Sequence, residues 1–142
     1  MTTLIKFTIP GKPEPQLRPR ATRMGKGIRM YDPPKTKKYK DYVSMIARQN
    51  APKKLLEGEL DMTIDIYRQI PKSTSKKMRK LMNDKIVRPI VRPDNTNYAK
   101  GIEDALNGII YKDDSQIVDL HISKYYSDEP RVEVFIKELK DI

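Results

Sequence analysis

The chain has no cysteine, one histidine, and no apolar run of membrane-spanning length among its 142 residues. Without cysteine there are no disulfides and no thiolate zinc sites, which fits a cytoplasmic protein. The N-terminus lacks the apolar core of a signal peptide, and nothing in the sequence predicts a membrane-spanning helix. Any bound metal must sit on oxygen ligands, with His121 as the one imidazole available. What is present is charge: 34% of residues are charged against 37% hydrophobic, with a formal net charge of +10. That length fits one domain with a lean core, which a dimer would help to bury. The positive balance favours an anionic partner, and nucleic acid fits better than an acidic membrane surface.

Hydrophobic periodicity predicts a mixed α/β (α+β) domain, a mixed sheet packed against helices, without repeats or low-complexity tracts. Leu4 to Ile9 alternates as a first strand, ending at Pro10-Gly11. Residues 10–35, with six prolines and the cations Arg18, Arg20, Arg23, Lys26 and Arg29, are expected to form a long basic loop that contacts phosphate or remains solvated. A helix is expected from Thr36 to about Asn50, with Tyr39, Tyr42, Val43, Ile46 and Ala47 on one stripe. Leu60 to Tyr67 has the period of a half-buried strand. Ser73 or Ser75 could cap a short basic helix carrying Lys76 and Lys77, and Lys85 to Arg92 is expected to be an extended edge segment. Asp94 or Asn95 is placed to cap a helix running to about Leu106, with Gly108 as its stop. The alternating runs around Val118–Ile122 and Val132–Ile136 are expected to pair as a hairpin.

The chemistry concentrates between residues 92 and 116. Asp94, Asp104, Asp113 and Asp114 gather there with Lys100, in a chain that is otherwise basic. Phosphodiester hydrolysis requires charge neutralisation at the scissile phosphate and an in-line water, and paired carboxylates holding magnesium supply both. Lys100 is a candidate for stabilising developing charge. The same residues also have structural readings, since an N-capping aspartate and an Asp-Asp turn are common. His121 alternates with apolar neighbours and reads as a surface or satisfied histidine. The tyrosines at 31, 39, 42, 111, 125 and 126 could stack on unpaired bases, although half-buried core tyrosine is the commoner case. Lys76 to Lys80 is either a solvated helix face or a phosphate contact.

Three runs together carry a resemblance to a known family: Arg92-Pro93-Asp94-x-Thr96-Asn97-x-x-Lys100, Asp104-Ala-Leu-Asn107-Gly108 and Asp113-Asp114-x-Gln116-Ile117. They resemble the signature of the RusA-type Holliday junction resolvases common on prophages. Gly11-Lys12-Pro13, Arg18-Pro19-Arg20, Lys35 to Tyr39 and Pro130-Arg131-Val132 extend the likeness over nearly the whole chain. The resemblance implies a homodimeric, Mg2+-dependent endonuclease that cuts paired strands at a four-way DNA junction in recombination and repair. Residue by residue, it implies catalytic roles for Asp94, Lys100 and Asp114, with Asp94 and Asp114 as metal ligands. By charge alone, Arg18, Arg20, Arg23, Lys76, Lys77 and Arg92 are the candidates for DNA contact. Where the family pattern has a middle carboxylate, this chain has Thr96, whose hydroxyl can bind magnesium without supplying charge. Asp104 and Asp113 are the nearest acids that could compensate. The alternative reading is a basic nucleic-acid-binding protein whose nuclease activity is weak or lost.

Overall fold

A computed structural model describes residues 3–139. Six strands and three helices follow in the order β1 (Leu4–Pro10), β2 (Arg20–Met24), β3 (Gly27–Tyr31), α1 (Pro34–Gln49), β4 (Leu60–Gln69), α2 (Lys76–Asn83), α3 (Asn95–Leu106), β5 (Ile117–Ser127) and β6 (Arg131–Glu138). The main sheet is mixed, in the order β1-β6-β4-β5, and β2 pairs with β3 in a separate two-stranded ribbon. The expected α+β class and its mixed sheet against helices are what the structure has.

The core follows the period-two pattern. Ile5, Phe7 and Ile9 of β1, Met62, Ile64 and Ile66 of β4, and Val132, Val134 and Ile136 of β6 share one buried cluster. Val43, Ile46 and Ala47 of α1 and Ala99, Ile102 and Leu106 of α3 join that cluster, so both helices pack on one face of the sheet. The alternate residues, among them Lys6, Asp61, Thr63 and Glu133, look away from the helices. His121 lies opposite Thr63 on that far face, 60% exposed and 3.3 Å from Asp61, a surface histidine remote from the helices.

Local signals set the helix ends. Pro34 opens α1, where a missing N–H costs nothing, and the Ser75 hydroxyl accepts the Met78 N–H at the start of α2. Gly108, at φ +75°, turns the chain just past α3 in a conformation that side chains resist.

Three expectations require correction. Residues 10–35 are not one loop, because residues 20–31 form the β2–β3 ribbon. Its turn is Gly25-Lys26, with Gly25 at φ +56° as a tight hairpin of matching twist requires. Lys85 to Arg92 forms no strand. After α2, Ile86 and Val87 both donate to the Leu81 carbonyl, closing a turn instead of entering a ladder. Finally, β5 and β6 do not pair: β4 lies between them, parallel to β5 and antiparallel to β6. Burial decides this, because β4 hides every second side chain completely and belongs in the centre, whereas β5 is largely exposed and takes the edge.

Candidate active site

The site grows from α3 and the turn that follows it. Asp94 stands at the cap position of α3, yet its side chain makes no capping hydrogen bond, so the structural role available to it is not used. Thr96 and Lys100 are exposed on the same helix, and Asp104 lies near its C-terminal end. With a rise of about 1.5 Å per residue, Asp94 and Asp104 are about 15 Å apart along the axis and Lys100 lies between them.

At the far end of α3, Asp113 and Asp114 take different parts. The Asp113 carboxylate accepts the Ser115 N–H at 3.1 Å, and Gln116 closes a reciprocal capping box by accepting the Asp113 N–H at 2.9 Å. Hydrogen bonding to Ser115 holds Asp113 below the ordinary carboxylate range. Gln116 also donates to the Leu56 and Gly58 carbonyls, tying this turn to the chain before β4. Asp114 makes no such cap and lies where the Asp104 carboxylate acts on it. Partial burial, and then the charges of Asp113 and Asp104, push Asp114 above its usual value. Glu103 is raised in the same way, by burial and then by Asp114 and Asp104. The fully buried Tyr111 donates its hydroxyl to the Glu103 carbonyl at 2.7 Å, and burial together with these four acids drives its pKa up. Negative charge is therefore concentrated at one point of a basic protein.

Two residues that no motif singled out complete the cluster. Lys40, from α1, reaches Asp104 at 3.3 Å and Asp32 at 2.9 Å. Its hydrogen bond is the main reason Asp32 sits below the ordinary carboxylate range, with Gln16 and the Lys100 charge adding to the effect. Lys40 lies in a stripe with Thr36 and Ser44, and the Ser44 hydroxyl donates to the Ala105 carbonyl at 2.8 Å. A lysine between two small polar residues at four-residue spacing was the available signal that this face of α1 meets another helix.

The resemblance implies a divalent cation, and the donors suit one. A magnesium-like ion keeps much of its water and binds through one or two carboxylates plus substrate phosphate. Asp104 and Asp114 are such a pair, and the burial and neighbouring acid charges that together raise Asp114 are what a cation would offset. Among the described residues no three acidic or histidine side chains converge as a complete protein cage. Asp94 and Thr96 stand at the other end of α3, so the structure brings together Asp104, Asp113, Asp114 and Lys40 but not these two.

The cations expected on DNA are spread over the surface. Arg18, Arg20, Arg23, Lys76, Lys77 and Arg92 are all exposed. In the ribbon, Arg20 pairs with Tyr31 and Arg23 with Ile28, so strand alternation puts Arg20 and Arg23 on opposite faces. Arg29, opposite Thr22, shares the face of Arg20. Among the described residues no helix is long and apolar enough to cross a membrane.

The family model described as "Endodeoxyribonuclease RusA" matches residues 10–137. The chain is also 47% identical over 137 residues to a Bacillus subtilis (strain 168) protein bearing the name "Uncharacterized protein YqaN", covering 95% of this chain and 96% of that one.

Proposed function

The chain belongs to the RusA endodeoxyribonuclease family, and from that premise we propose that it is a magnesium-dependent enzyme resolving Holliday junctions and other branched DNA. The observation that carries the reading is the Asp104–Asp114 pair, flanked by Lys40 and Lys100, in a chain of net charge +10. The cations draw in the DNA backbone and the acids mark the point where it is cut.

In this reading Asp104 and Asp114 hold the ion, which when bound neutralises the scissile phosphate and lowers the pKa of a water. Lys40 fixes the Asp104 carboxylate by hydrogen bonding to it. Lys100, about one turn before Asp104, offers an ammonium to the charge that develops on the phosphoryl oxygens. Asp94, Lys100 and Asp114 correspond to the family's catalytic positions. Asp94 and Thr96 then act on the adjoining stretch of strand, with Thr96 supplying a hydroxyl where the family pattern carries a carboxylate. Arg18, Arg20, Arg23, Lys76, Lys77 and Arg92 serve the flanking phosphates. A homodimer would supply two such sites for the paired strands of a junction, and the setting would be recombination and repair in the cytoplasm of a bacterial or phage-infected cell.

A second reading is favoured by Thr96 and by the incomplete carboxylate set: a junction-binding protein with weak or lost cleavage. Purified protein incubated with a synthetic four-way junction and with linear duplex, with and without magnesium, separates the two. Junction-selective nicking that requires magnesium is expected. Tight junction binding without nicking would hand the case to the second reading.

A further inference from the structure

Beside the N-terminal turn of α3 lies a cavity of 320 Å³ that the acidic cluster does not use. A strap at residues 12–17 roofs it, and both ends of that strap are tied down. The Gly11 N–H donates to the Pro130 carbonyl at 3.0 Å and the Gln16 N–H to the Asn97 carbonyl at 2.7 Å. The Leu17 N–H then donates to the buried Thr36 hydroxyl at 3.2 Å. This is a held wall, unlike the exposed ribbon that follows it.

The lining combines apolar surfaces with cations. Pro13, Pro15, Leu17 and Pro93 face the cavity with the edge of Tyr98, a ring otherwise buried in the core. Lys12, Lys35 and Arg68 also line it, against one carboxylate, Glu14. Glu14 is engaged by Lys35 at 3.4 Å. Arg68 donates Nη1 to the Arg92 carbonyl at 2.7 Å, leaving most of its guanidinium fork for another acceptor. Burial raises the Tyr98 hydroxyl, while Arg68 lowers it and Glu14 raises it, so both charges bear on that hydroxyl.

We propose that this cavity receives one unpaired nucleotide of the DNA substrate, its base between the proline, Leu17 and Tyr98 surfaces and its phosphate on Lys12, Lys35 and Arg68. The proposal rests on the reading of the protein as an enzyme of branched DNA and adds how it senses the branch. Flat apolar walls suit any base face, and the volume lies at the low end of ligand pockets, with room for one ring system and not for a base pair. At a branch point a nucleotide leaves the stack more cheaply than within a duplex. Tyr98 and Pro93 lie roughly 9 and 16 Å before Asp104 along the helix direction. A stacked strand advances about 3.4 Å per nucleotide, so the captured base would lie roughly three to five nucleotides from the cut.

Amide chemical shifts of the full chain test this directly, during titration with a single-stranded dodecanucleotide, the same oligonucleotide made abasic, and inorganic phosphate. Saturable shifts at Lys12, Glu14, Leu17, Arg68 and Tyr98 are expected with the intact oligonucleotide, with affinity at least about tenfold weaker when the bases are missing. Leu17→Trp, which fills the cavity without removing charge, should abolish these shifts and weaken the intact oligonucleotide about tenfold, to the level of the abasic strand, whose own affinity it should leave nearly unchanged. Equal shifts from the abasic strand or from phosphate alone would reduce the cavity to an anion contact and overturn the proposal, as would unperturbed amides at all five positions. None of these measurements requires cleavage, so a failed junction-cutting assay and a failed cavity are separate results.

Discussion

Lys40 and Asp104 meet at 3.3 Å across the α1–α3 interface, and the same ammonium also holds Asp32 at 2.9 Å. The contact joins the candidate site to the core, since α1 and α3 bury their apolar stripes together. Replacing Lys40 with Met should leave Asp104 free to rotate and lower the cleavage rate by about tenfold or more, the scale of effect that small misplacements produce. Removing a cation beside the carboxylates should also lower the magnesium concentration for half-maximal rate. The stability cost should be only about 1 kcal/mol or less, because the pair is partly solvated. A magnesium titration of junction cleavage reads both effects, and a variant with an unchanged rate would remove Lys40 from the site.

The two adjacent aspartates should separate cleanly. Asp114→Asn removes a carboxylate facing Asp104 and should reduce cleavage by on the order of 100-fold, the scale of losing one electrostatic stabiliser, while junction binding is kept or strengthened. Asp113→Ala removes a cap from the turn before β5, so it should lower the melting temperature and leave the rate within a few-fold. Nicking assays paired with thermal melts decide this, and the opposite pattern would exchange the two assignments.

Much of the fold was legible because burial on one face of a strand is written in alternation, as at Leu60 to Tyr67. The order of the strands was not. Whether β6 pairs with β5 or passes to the other side of β4 depends on which strand buries most, a property of the whole sheet. The β2–β3 ribbon went unread because its residues are exposed throughout and the flanking prolines mask the Gly25-Lys26 turn. The acids at 94–114 stood out by sequence, but their division into two ends of α3 follows from the length of that helix. Asp104 draws its partner Lys40 from 64 residues away, beyond the reach of any local pattern.

The ribbon's two faces predict different salt behaviour. Arg20 and Arg29 share a face with Thr22, whereas Arg23 lies with Ala21, Ile28 and Met30. If the arginine-rich face meets DNA, replacing Arg20 and Arg29 together with Ala should make the slope of log affinity against log salt shallower by about 1.8, close to two lost phosphate contacts. Arg23→Ala should change it by less. Fluorescence anisotropy over a salt series measures both, and a larger effect from Arg23 would turn the ribbon over.

Asp65 provides a stability test remote from the acidic cluster. Burial, and then the nearby Glu133, raise its pKa, opposed by Lys85 and Arg88. A carboxyl whose folded value is raised binds its proton more tightly in the folded state. Its cost is absent at pH below the unfolded value and develops as pH rises through the folded one. Asp65→Asn should therefore raise the melting temperature at neutral pH, with the gain shrinking towards pH 3. An equal gain at both pH values would mean that the charge of Asp65 is not what the fold resists.

Thr96 offers the sharpest test of how the N-terminal end of α3 takes part. It is exposed in the first turn, two residues after the uncapped Asp94, where the helix dipole favours negative charge. Thr96→Asp should therefore stabilise the helix by about 0.3–1 kcal/mol whatever its role in catalysis. If Asp94 and position 96 share in holding a cation on the strand, the new carboxylate should also lower the magnesium needed for half-maximal cleavage, and Asp94→Asn should cancel that gain. Thr96→Ala should do less harm than Asp94→Asn, because a hydroxyl contributes a dipole where a carboxylate contributes charge that offsets dehydration of the ion. If instead the Asp104–Asp114 end carries the ion alone, Thr96→Asp would repel the approaching backbone and weaken junction binding without changing the magnesium midpoint. The midpoint and the junction affinity of these variants, measured together, choose between a site spanning α3 and one confined to its C-terminal end.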